Sequence, residues 1–530
     1  MHPYLFRLLV MIVVLISSLG GCQGQREPTT APFAPPMSSE PETTNSATPA
    51  DLEQRIRYFC GTVCHAYPPP DTFPQEHWRM EVERAYGFFE RSGLALTPPR
   101  MSDVIRYYEE RAPLSLPVIT PVYAKHRLPM QWEPVSCPLP PGGGRAMISH
   151  VQPVKLPPGR VTPEQIAAAP TDLLACDMQG GRILLYHAAA TQPSWQVLGT
   201  VRNPARACVV DLDGDNILDV LVADLGSFPP TNQRCGRVVW LRGQADGTYQ
   251  PHVLLENVGR VADVRAAPFR QANRLDLVVA VFGLHEVGEV LLLENQTTDW
   301  NKPHFVPRQL DGRTGAIHVP VIDLNEDGRP DFIALFAQEH ETIVAFLNEG
   351  QGRFRKKTLY SAPHPGWGSS GIELTDINGD GRPDILYTNG DILDEPYLWK
   401  PYHGLGWLEN LGDLRFEYHR IGDMYGIHHA VAAPLCGGPL PDILAVSFLP
   451  ADKFRDREAR QADAVVLFRQ VAPGQFERHT LLQANCDAVS CCVADLYGLG
   501  RYDLIVGNYS HPKDNRPLWI WHNRGTPPHK

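Results

Sequence analysis

The sequence predicts a mainly β fold, a seven-bladed β-propeller, preceded by a small all-α segment. An aspartate followed by four or five β-prone apolar residues recurs seven times, at separations of 47, 57, 55, 53, 58 and 61 residues. A second apolar run follows each copy, as GRILLY follows DLLACD. The chain also carries 44 glycines and 50 prolines, more than long helices tolerate. The seven aspartates are Asp172, Asp219, Asp276, Asp331, Asp384, Asp442 and Asp503.

Each repeat has the length of one propeller blade. The period holds four strands of about five or six residues together with their turns. The apolar runs are nearly continuous in Val, Leu and Ile, as expected for strands that neighbouring blades cover on both faces. A parallel α/β sheet would need helical crossovers, and the gaps contain Gly, Pro and Asn instead. The predicted propeller spans residues 140–525.

The first 22 residues are typical of an export signal. Arg7 gives a weakly basic start, and residues 8–16 form a short apolar run. The sequence LGGC that ends at Cys22 resembles the lipobox of bacterial lipoproteins. The resemblance implies a diacylglycerol on the Cys22 thiol and a lipid anchor in the cell envelope, facing the periplasm or the cell exterior. Ordinary cleavage beside an incidental cysteine is the alternative. Residues 23–50 have almost no large apolar side chains, so we expect a disordered tether.

Charge and cysteine content set further limits. A net charge of -11 without a Lys/Arg stripe argues against nucleic acid as a partner. An exported chain can form disulfides. Ten of the eleven cysteines remain once Cys22 is set aside, and their pairing cannot be deduced from the sequence.

Three repeats carry a dense acidic cluster directly before the aspartate strand: DLDGDNILD, DLNEDGRPD and DINGDGRPD. Oxygen-bearing side chains stand at loop positions 1, 3, 5 and 9, and the carbonyl at position 7 adds a backbone oxygen. Calcium prefers such an all-oxygen shell, and the clustered carboxylates would otherwise repel one another. The side chains at position 7 are then free to vary. A solvated acidic hairpin without an ion is the alternative. The expected ligands are Asp211, Asp213, Asp215, Ile217 and Asp219 in the first loop, Asp323, Asn325, Asp327, Arg329 and Asp331 in the second, and Asp376, Asn378, Asp380, Arg382 and Asp384 in the third.

The acidic loop and the strand after it resemble a known repeat. A D-x-[DN]-x-D-G-x-x-D loop ahead of a D-[IV]-L strand is similar to the FG-GAP or VCBS repeats of bacterial propellers and integrin α-chain heads. The resemblance covers residues 140–525 and implies calcium-binding hairpin loops. The other repeats depart from it and should hold no calcium. The departing residues are Pro268, Arg270 and Ala272, Pro434, Cys436 and Gly438, and Tyr497 and Leu499 after the retained Asp495.

The segment 51–115 is predicted to be helical, with helices over 51–59, 75–92 and 102–110. Between the first two lies the sequence CGTVCH, which ends at His65. Two thiols followed directly by a histidine can attach haem c covalently, with the histidine as the proximal iron ligand. The usual spacing between the thiols is two residues, and here it is three.

Together with the PPPDTFPQEHW that follows, the thiols and histidine resemble the small cytochrome c-like segments ahead of some bacterial FG-GAP propellers. The resemblance implies thioethers on Cys60 and Cys64, with His65 as a proximal ligand and Met101 as a sixth ligand. A plain disulfide between Cys60 and Cys64 is the alternative.

Three functions fit these features. The first is an envelope platform that binds a protein or glycan, with possible electron transfer through haem. The second is an enzyme that acts on carbohydrate or a small molecule at the axial mouth, and the third is a purely structural protein. The innermost strands should start near the axis five residues before loop position 1, so the residues there form a candidate ligand ring, with a solvated channel mouth as the alternative. They are Arg206, Asp263, His318, Gly371, His429 and Ser490.

Overall fold

A computed structural model describes residues 49–61, 65–139, 146–393, 395, 397–509 and 517–526. These residues belong to one compact unit, residues 49–530. None of the helices in this part of the chain combines the length and the apolarity needed to cross a bilayer.

Seven sheets form in the described part of the chain, and each is one blade. The first strand, β1 (Gln131–Cys137), belongs to the last blade. Blade 1 consists of β2 (Ile148–Val154), β3 (Asp172–Asp177), β4 (Arg182–His187) and β5 (Ser194–Thr200). Blade 2 consists of β6 (Pro204–Val210), β7 (Asp219–Asp224), β8 (Gly236–Gly243) and β9 (Tyr249–Val258). Blade 3 consists of β10 (Val261–Gln271), β11 (Arg274–Val281), β12 (Glu289–Asn295) and β13 (Phe305–Asp311).

Blade 4 consists of the interrupted pair β14 (Ala316–His318) and β15 (Val321–Ile322), then β16 (Asp331–Phe336), β17 (Thr342–Asn348) and β18 (Phe354–Ser361). Blade 5 consists of β19 (Ser369–Thr375), β20 (Asp384–Asn389), β21 (Gly404–Asn410) and β22 (Phe416–Asp423). Blade 6 consists of β23 (Ile427–Ala433), β24 (Asp442–Ser447), β25 (Asp463–Ala472) and β26 (Gln475–Gln483). Blade 7 consists of β27 (Ala488–Ala494), β28 (Asp503–Asn508), β29 (Leu518–Gly525) and β1.

The prediction of seven blades is confirmed. Every repeat aspartate lies at or within two residues of the start of the second strand of a blade, and the apolar run after it forms the third strand. In six of the seven blades each residue of the second strand is buried, as strands between two neighbouring blades should be.

The repeat aspartate ties three strands together. In blade 4 one carboxylate oxygen of Asp331 accepts the Leu324 amide at 3.1 Å, and the other accepts the Asn348 amide at 2.6 Å. Blade 6, which has no acidic loop, uses Asp442 in the same way with the Cys436 and Gln470 amides, both at 2.8 Å. The aspartate therefore recurs because its carboxylate accepts two backbone amides that would otherwise be unpaired. One amide lies in the loop before the aspartate's own strand, and the other lies on the strand that follows.

The propeller begins earlier than residue 140. Strand β1 pairs antiparallel with β29, from Gln131 opposite Gly525 to Cys137 opposite Leu518. The outermost strand of blade 7 therefore comes from before blade 1, and this pairing closes the ring of blades.

Four helices are described: α1 (Pro49–Gly61), α2 (Trp78–Ser92), α3 (Met101–Glu109) and a short α4 (Pro163–Ala168) inside blade 1. Two turns of 3₁₀ helix, Pro70–Thr72 and Gln75–His77, precede α2. The first three helices match the predicted helical segment. Their core is aromatic, with the Trp78 and Tyr108 rings stacked 3.8 Å apart.

The helical segment packs against the propeller. The Phe73 ring lies against Gly366 in the loop that joins blades 4 and 5, and the Tyr402 hydroxyl donates to the Thr72 carbonyl at 3.4 Å. The Arg84 guanidinium donates to the Glu395 carbonyl at 2.8 Å. These propeller loops follow second or fourth strands, so they share one face of the ring, here called the helix-bearing face. The acidic loops, between first and second strands, lie on the opposite face, here called the acid-loop face.

Candidate calcium loops and axial cavity

The first aspartate of each acidic loop shapes the turn. The Asp211 carboxylate accepts the amides of Gly214, Asp215 and Asn216 at 2.9, 3.2 and 2.9 Å. Asp323 and Asp376 accept the equivalent amides of their own loops. Position 6 has a positive φ in all three loops, 64° at Asn216, 81° at Gly328 and 86° at Gly381, a conformation that glycine and asparagine tolerate.

Carboxylates converge inside these loops. One oxygen each of Asp211, Asp213 and Asp215 lies within 4.8 Å of the others. Burial, and then the neighbouring Asp215, raises the pKa of Asp213, and burial raises the pKa of Asp219 to about 7. In blade 5 burial raises the pKa of Asp384 to about 6. Hard oxygen donors that are reluctant to ionise without a counter-charge fit calcium, since a bound cation would remove that cost.

The arginines at loop position 7 make side-chain contacts, in addition to the carbonyl ligation that the sequence predicts. Arg329 donates through Nε to the Asn348 carbonyl at 2.7 Å and pairs with Asp327 at 2.5 Å. Arg382 makes the same two contacts, with Asn410 and Asp380. In blade 2, where Ile217 stands at position 7, Arg242 from β8 lies 2.6 Å from Asp213. Each loop therefore has a guanidinium beside its carboxylates.

Two other blades show what replaces an acidic loop. In blade 3 the Arg270 guanidinium pairs with Asp276 at 2.9 Å and with Glu294 at 3.4 Å, so an arginine supplies the positive charge. In blade 7 Asp495 still accepts the amides of Leu499 and Gly500, at 2.8 and 2.7 Å. The turn thus forms with Tyr497 and Leu499 at positions 3 and 5, beside a cavity of about 420 Å³. The first aspartate therefore shapes the turn in the same way whether or not the other ligand positions are acidic.

The residues of the expected haem site are only partly described. Cys64 and Cys22, the residue expected to carry the lipid, lie outside the described residues. His65 Nδ1 lies 2.8 Å from the Ala66 carbonyl, and burial lowers the pKa of His65. Cys60 packs against the helical core, whereas Met101 is 41% exposed at the first residue of α3. The histidine fits an iron ligand whose second nitrogen is held by a carbonyl, but Met101 is not placed in a buried site.

The candidate ring residues lie around one cavity on the propeller axis. The cavity holds about 540 Å³, and Arg206, Asp263, His318 and His429 all line it. Each ring position pairs with the residue four places after a repeat aspartate, as Arg206 pairs with Ala223 and His318 with Leu335. Gly371 and Ser490 hold the same register position in blades 5 and 7.

Sequence reasoning missed His150 and three further polar residues of the cavity, Gln152, Arg265 and Glu373. His150 holds the ring position of blade 1, where it pairs with Cys176. It was missed because blade 1 has no acidic loop from which to count back, although the repeat aspartate would have located it. Arg265 and Glu373 follow ring positions by two residues, so they project from the same side of their strands.

Ionic contacts organise the cavity. Arg206 donates through Nη1 to His318 Nδ1 at 2.8 Å, which links blades 2 and 4. The Arg265 guanidinium donates to Asp263 at 3.1 Å. Burial, and then the positive charge of Arg206, lowers the pKa of His318 well below its ordinary value and that of His429 to about 3. Burial and Arg206 have the same effect on the pKa of His150, so the three imidazoles are neutral.

The cavity is covered at the helix-bearing face. The rings of Phe228 and Tyr509, from blades 2 and 7, lie 6.3 Å apart, so their contact reaches across blade 1 near the axis. The Phe448 ring extends this cover, 5.9 Å from Tyr509. At the other end the lining reaches Val210, which directly precedes the first acidic loop. The cavity therefore opens toward the acid-loop face.

The thiol nearest to a cavity histidine is not an activated nucleophile. Cys491 Sγ lies 3.5 Å from His429 Nδ1, but Cys491 is fully buried. Burial raises the pKa of Cys491 well above its ordinary value, whereas a catalytic thiol needs a lowered one.

Comparison with known proteins supports the repeat. The model of the FG-GAP-like repeat family matches residues 323–387, the acidic loop of blade 4 through the second strand of blade 5. No curated protein matches the chain significantly. One of the solved structures that it resembles is described as the crystal structure of BBS1N in complex with ARL6DN, soaked with lead. That alignment has a TM-score of 0.44 and 11% identity, and it covers 76% of this chain and 99% of the other.

Proposed function

We propose that this propeller is a binding platform of the bacterial cell envelope, anchored by a lipid on Cys22 and stiffened by three calcium ions. The observation that carries the proposal is the axial cavity of about 540 Å³, to which all seven blades contribute and which is closed at one end. Ligand sites are concave and carry a few convergent polar groups, and this cavity has both features.

The three acidic loops support the calcium part of the proposal. They lie on the face to which the cavity opens, so bound ions would stiffen the rim of the binding site. The fit rests on the convergence of Asp211, Asp213 and Asp215 and on the raised pKa of Asp219 and Asp384. Blade 3 supports the same interpretation, because there Arg270 balances the acidic groups instead.

Thermal unfolding with a chelator and with calcium tests this part. Chelation should lower the melting temperature and added calcium should restore it, because an ion that binds only the folded state stabilises it by mass action. Asp327→Ala should weaken the calcium response. The control is Asp495→Ala, which removes the one retained ligand-type aspartate from the loop start in blade 7, where positions 3 and 5 are Tyr497 and Leu499, and it should leave the calcium response intact. An unchanged melting temperature on chelation would refute the calcium sites.

Membrane fractionation tests the anchor. Cys22→Ser should move the protein from the membrane fraction to the soluble fraction, because a polar tether cannot replace a buried diacylglycerol. A variant that remains with the membranes would count against lipidation.

A second candidate function, electron transfer through haem c on Cys60 and Cys64, is favoured by one contact. The hydrogen bond between His65 Nδ1 and the Ala66 carbonyl fixes the imidazole and leaves Nε2 for a metal. Haem supplies one-electron redox chemistry when bound. Protein matured in a host that assembles c-type cytochromes should show a Soret band that survives denaturing electrophoresis. A mass equal to the bare polypeptide less two hydrogens would instead identify the Cys60–Cys64 disulfide.

A further inference from the structure

The closed end of the axial cavity carries more hydrogen-bond donors than acceptors. We call this end the floor and define it by His150, Arg206, Asp263, His318 and His429. All five line the cavity, and exposure is low there, at 5% for His150, 1% for Asp263 and 9% for His318. A group bound at the floor is thus largely withdrawn from water.

The three floor histidines share one tautomer. His318 Nδ1 accepts from Arg206 at 2.8 Å, and His150 Nδ1 accepts the Ala207 amide at 3.5 Å. His429 Nδ1 accepts the Cys491 amide at 3.3 Å. A neutral imidazole that accepts at Nδ1 carries its proton on Nε2. Each histidine therefore keeps one N–H donor for a group in the cavity.

Asp263, the carboxylate of the floor, already accepts hydrogen bonds from three protein groups. The Asp263 carboxylate accepts the Val264 amide at 2.9 Å, the Val319 amide at 3.1 Å and the Arg265 guanidinium at 3.1 Å. Arg206 approaches the same carboxylate only to 3.9 Å, beyond hydrogen-bond distance. Asp263 therefore offsets the charge of one arginine, and Arg265 is the one that it binds.

Arg206 is left without an anionic hydrogen-bond partner among the described residues. Its Nε atom is buried and makes no hydrogen bond in this part of the chain, while its Nη1 binds a neutral imidazole. Glu373 also lines the cavity, where burial raises its pKa and the two arginines oppose that rise. A largely buried guanidinium without an anionic hydrogen-bond partner is costly, and an anion from solution would reduce the cost.

We infer that the axial cavity binds a small organic acid, with its carboxylate on Arg206 and the imidazole N–H groups of the floor. This inference rests on the proposed function only in taking the cavity as the binding site. The wall between the floor and the opening is mixed in polarity, with Gln152, Arg265 and Glu373 beside Val210 and Val431. The two valines can contact a short hydrocarbon body. A single arginine without an anionic hydrogen-bond partner favours one negative charge over a dianion, whose second charge would be buried unpaired.

Calorimetric titration of the full chain with three probes of one shape tests the inference. Butyrate should bind saturably with one site per chain. Butyramide and butylamine should not bind, because only butyrate offers Arg206 a negatively charged hydrogen-bond acceptor. Arg206→Gln should weaken butyrate binding at least about tenfold, the loss expected when a charge-assisted hydrogen bond is removed. The matched control is Arg355→Gln, on an outer strand with a side chain 55% exposed, which should bind as the wild type does.

Two outcomes would overturn the inference: no butyrate binding by the folded wild type, or butyramide binding as tight as butyrate binding. Both comparisons use the wild type, so they remain decisive if the Arg206 variant does not fold. The effect of chelation on melting and the effect of Cys22→Ser on fractionation are measured separately. The proposed platform can therefore survive the loss of the acid site, and the acid site can survive the loss of the calcium sites.

Discussion

At the scale of single residues, Arg329 occupies a carboxylate that a bound calcium ion would also use. Its guanidinium pairs with Asp327 and braces the loop against the Asn348 carbonyl. Arg329→Ala should lower the unfolding free energy of the calcium-free protein by about 1 kcal/mol, discounted for a side chain that is 48% exposed. The same change should tighten calcium binding, because the competing cation is gone.

Urea unfolding in chelator and a calcium titration measure the two effects of Arg329→Ala. The control is Arg355→Ala, which removes an exposed arginine that lies 3.4 Å from Glu349 and touches no acidic loop. Equal behaviour of the two variants would contradict the competition.

Glu341 should make stability depend on pH. This residue is 4% exposed, it accepts the Ser369 amide at 2.8 Å, and burial raises its pKa from 4.5 to about 8. The folded state therefore retains the proton that the unfolded state loses. The stabilisation from this group is complete below about pH 4.5 and disappears as pH rises to about 8.

Glu341→Gln keeps the shape of the neutral acid and removes the titration. The difference between the unfolding free energies of wild type and variant, followed from pH 4.5 to 8, isolates this group from others that titrate in the same range. We expect the wild type to lose stability relative to the variant as pH rises. A constant difference across that range would show that Glu341 ionises without cost.

At the scale of elements, the helical segment docks on the helix-bearing face through a glycine. A Cβ atom on Gly366 would meet the Phe73 ring at 2.9 Å and the Thr72 methyl group at 3.3 Å. Gly366→Val should therefore loosen the segment, exposing residues 114–130 to limited proteolysis while the propeller melts nearly as before. The control is Gly438→Val, since nothing lies within 4 Å of its Cβ position. Equal cleavage rates for both variants would argue against docking through Phe73.

The sequence predicted elements next to a repeat aspartate better than contacts between residues far apart in the chain. The second and third strands of every blade were predictable because each repeat aspartate is followed at once by the strand that it ties down. The ring residues were predictable from their fixed offset, except His150, whose blade lacks an acidic loop. The role of Arg329 was not, because its partner Asn348 lies on a different strand. The sequence around Phe73, between the two 3₁₀ turns, likewise does not reveal that this ring packs on Gly366.

At the scale of the whole molecule, β1 closes the ring, and its pairing could not be predicted locally. The pair Glu133 and Arg524, which lie 391 positions apart, shows how distant the joined segments are. A chain that starts at residue 140 should leave the β29 edge unpaired, melt at a lower temperature and aggregate. A chain that starts at residue 125 keeps β1 and should melt close to the propeller of the full chain. Scanning calorimetry and light scattering compare the two, and identical behaviour would mean that β1 contributes nothing to closure.

The position of β1 also determines how the molecule would respond to a pulling force. A load applied at the N-terminal side reaches the helical segment first and then the hydrogen bonds of residues 119 and 124 to blade 6. It reaches β1 only after these contacts break. Releasing residues 49–130 would lengthen the chain by on the order of 280 Å. Under such a load the docked segment should therefore detach and extend while the ring of blades stays closed.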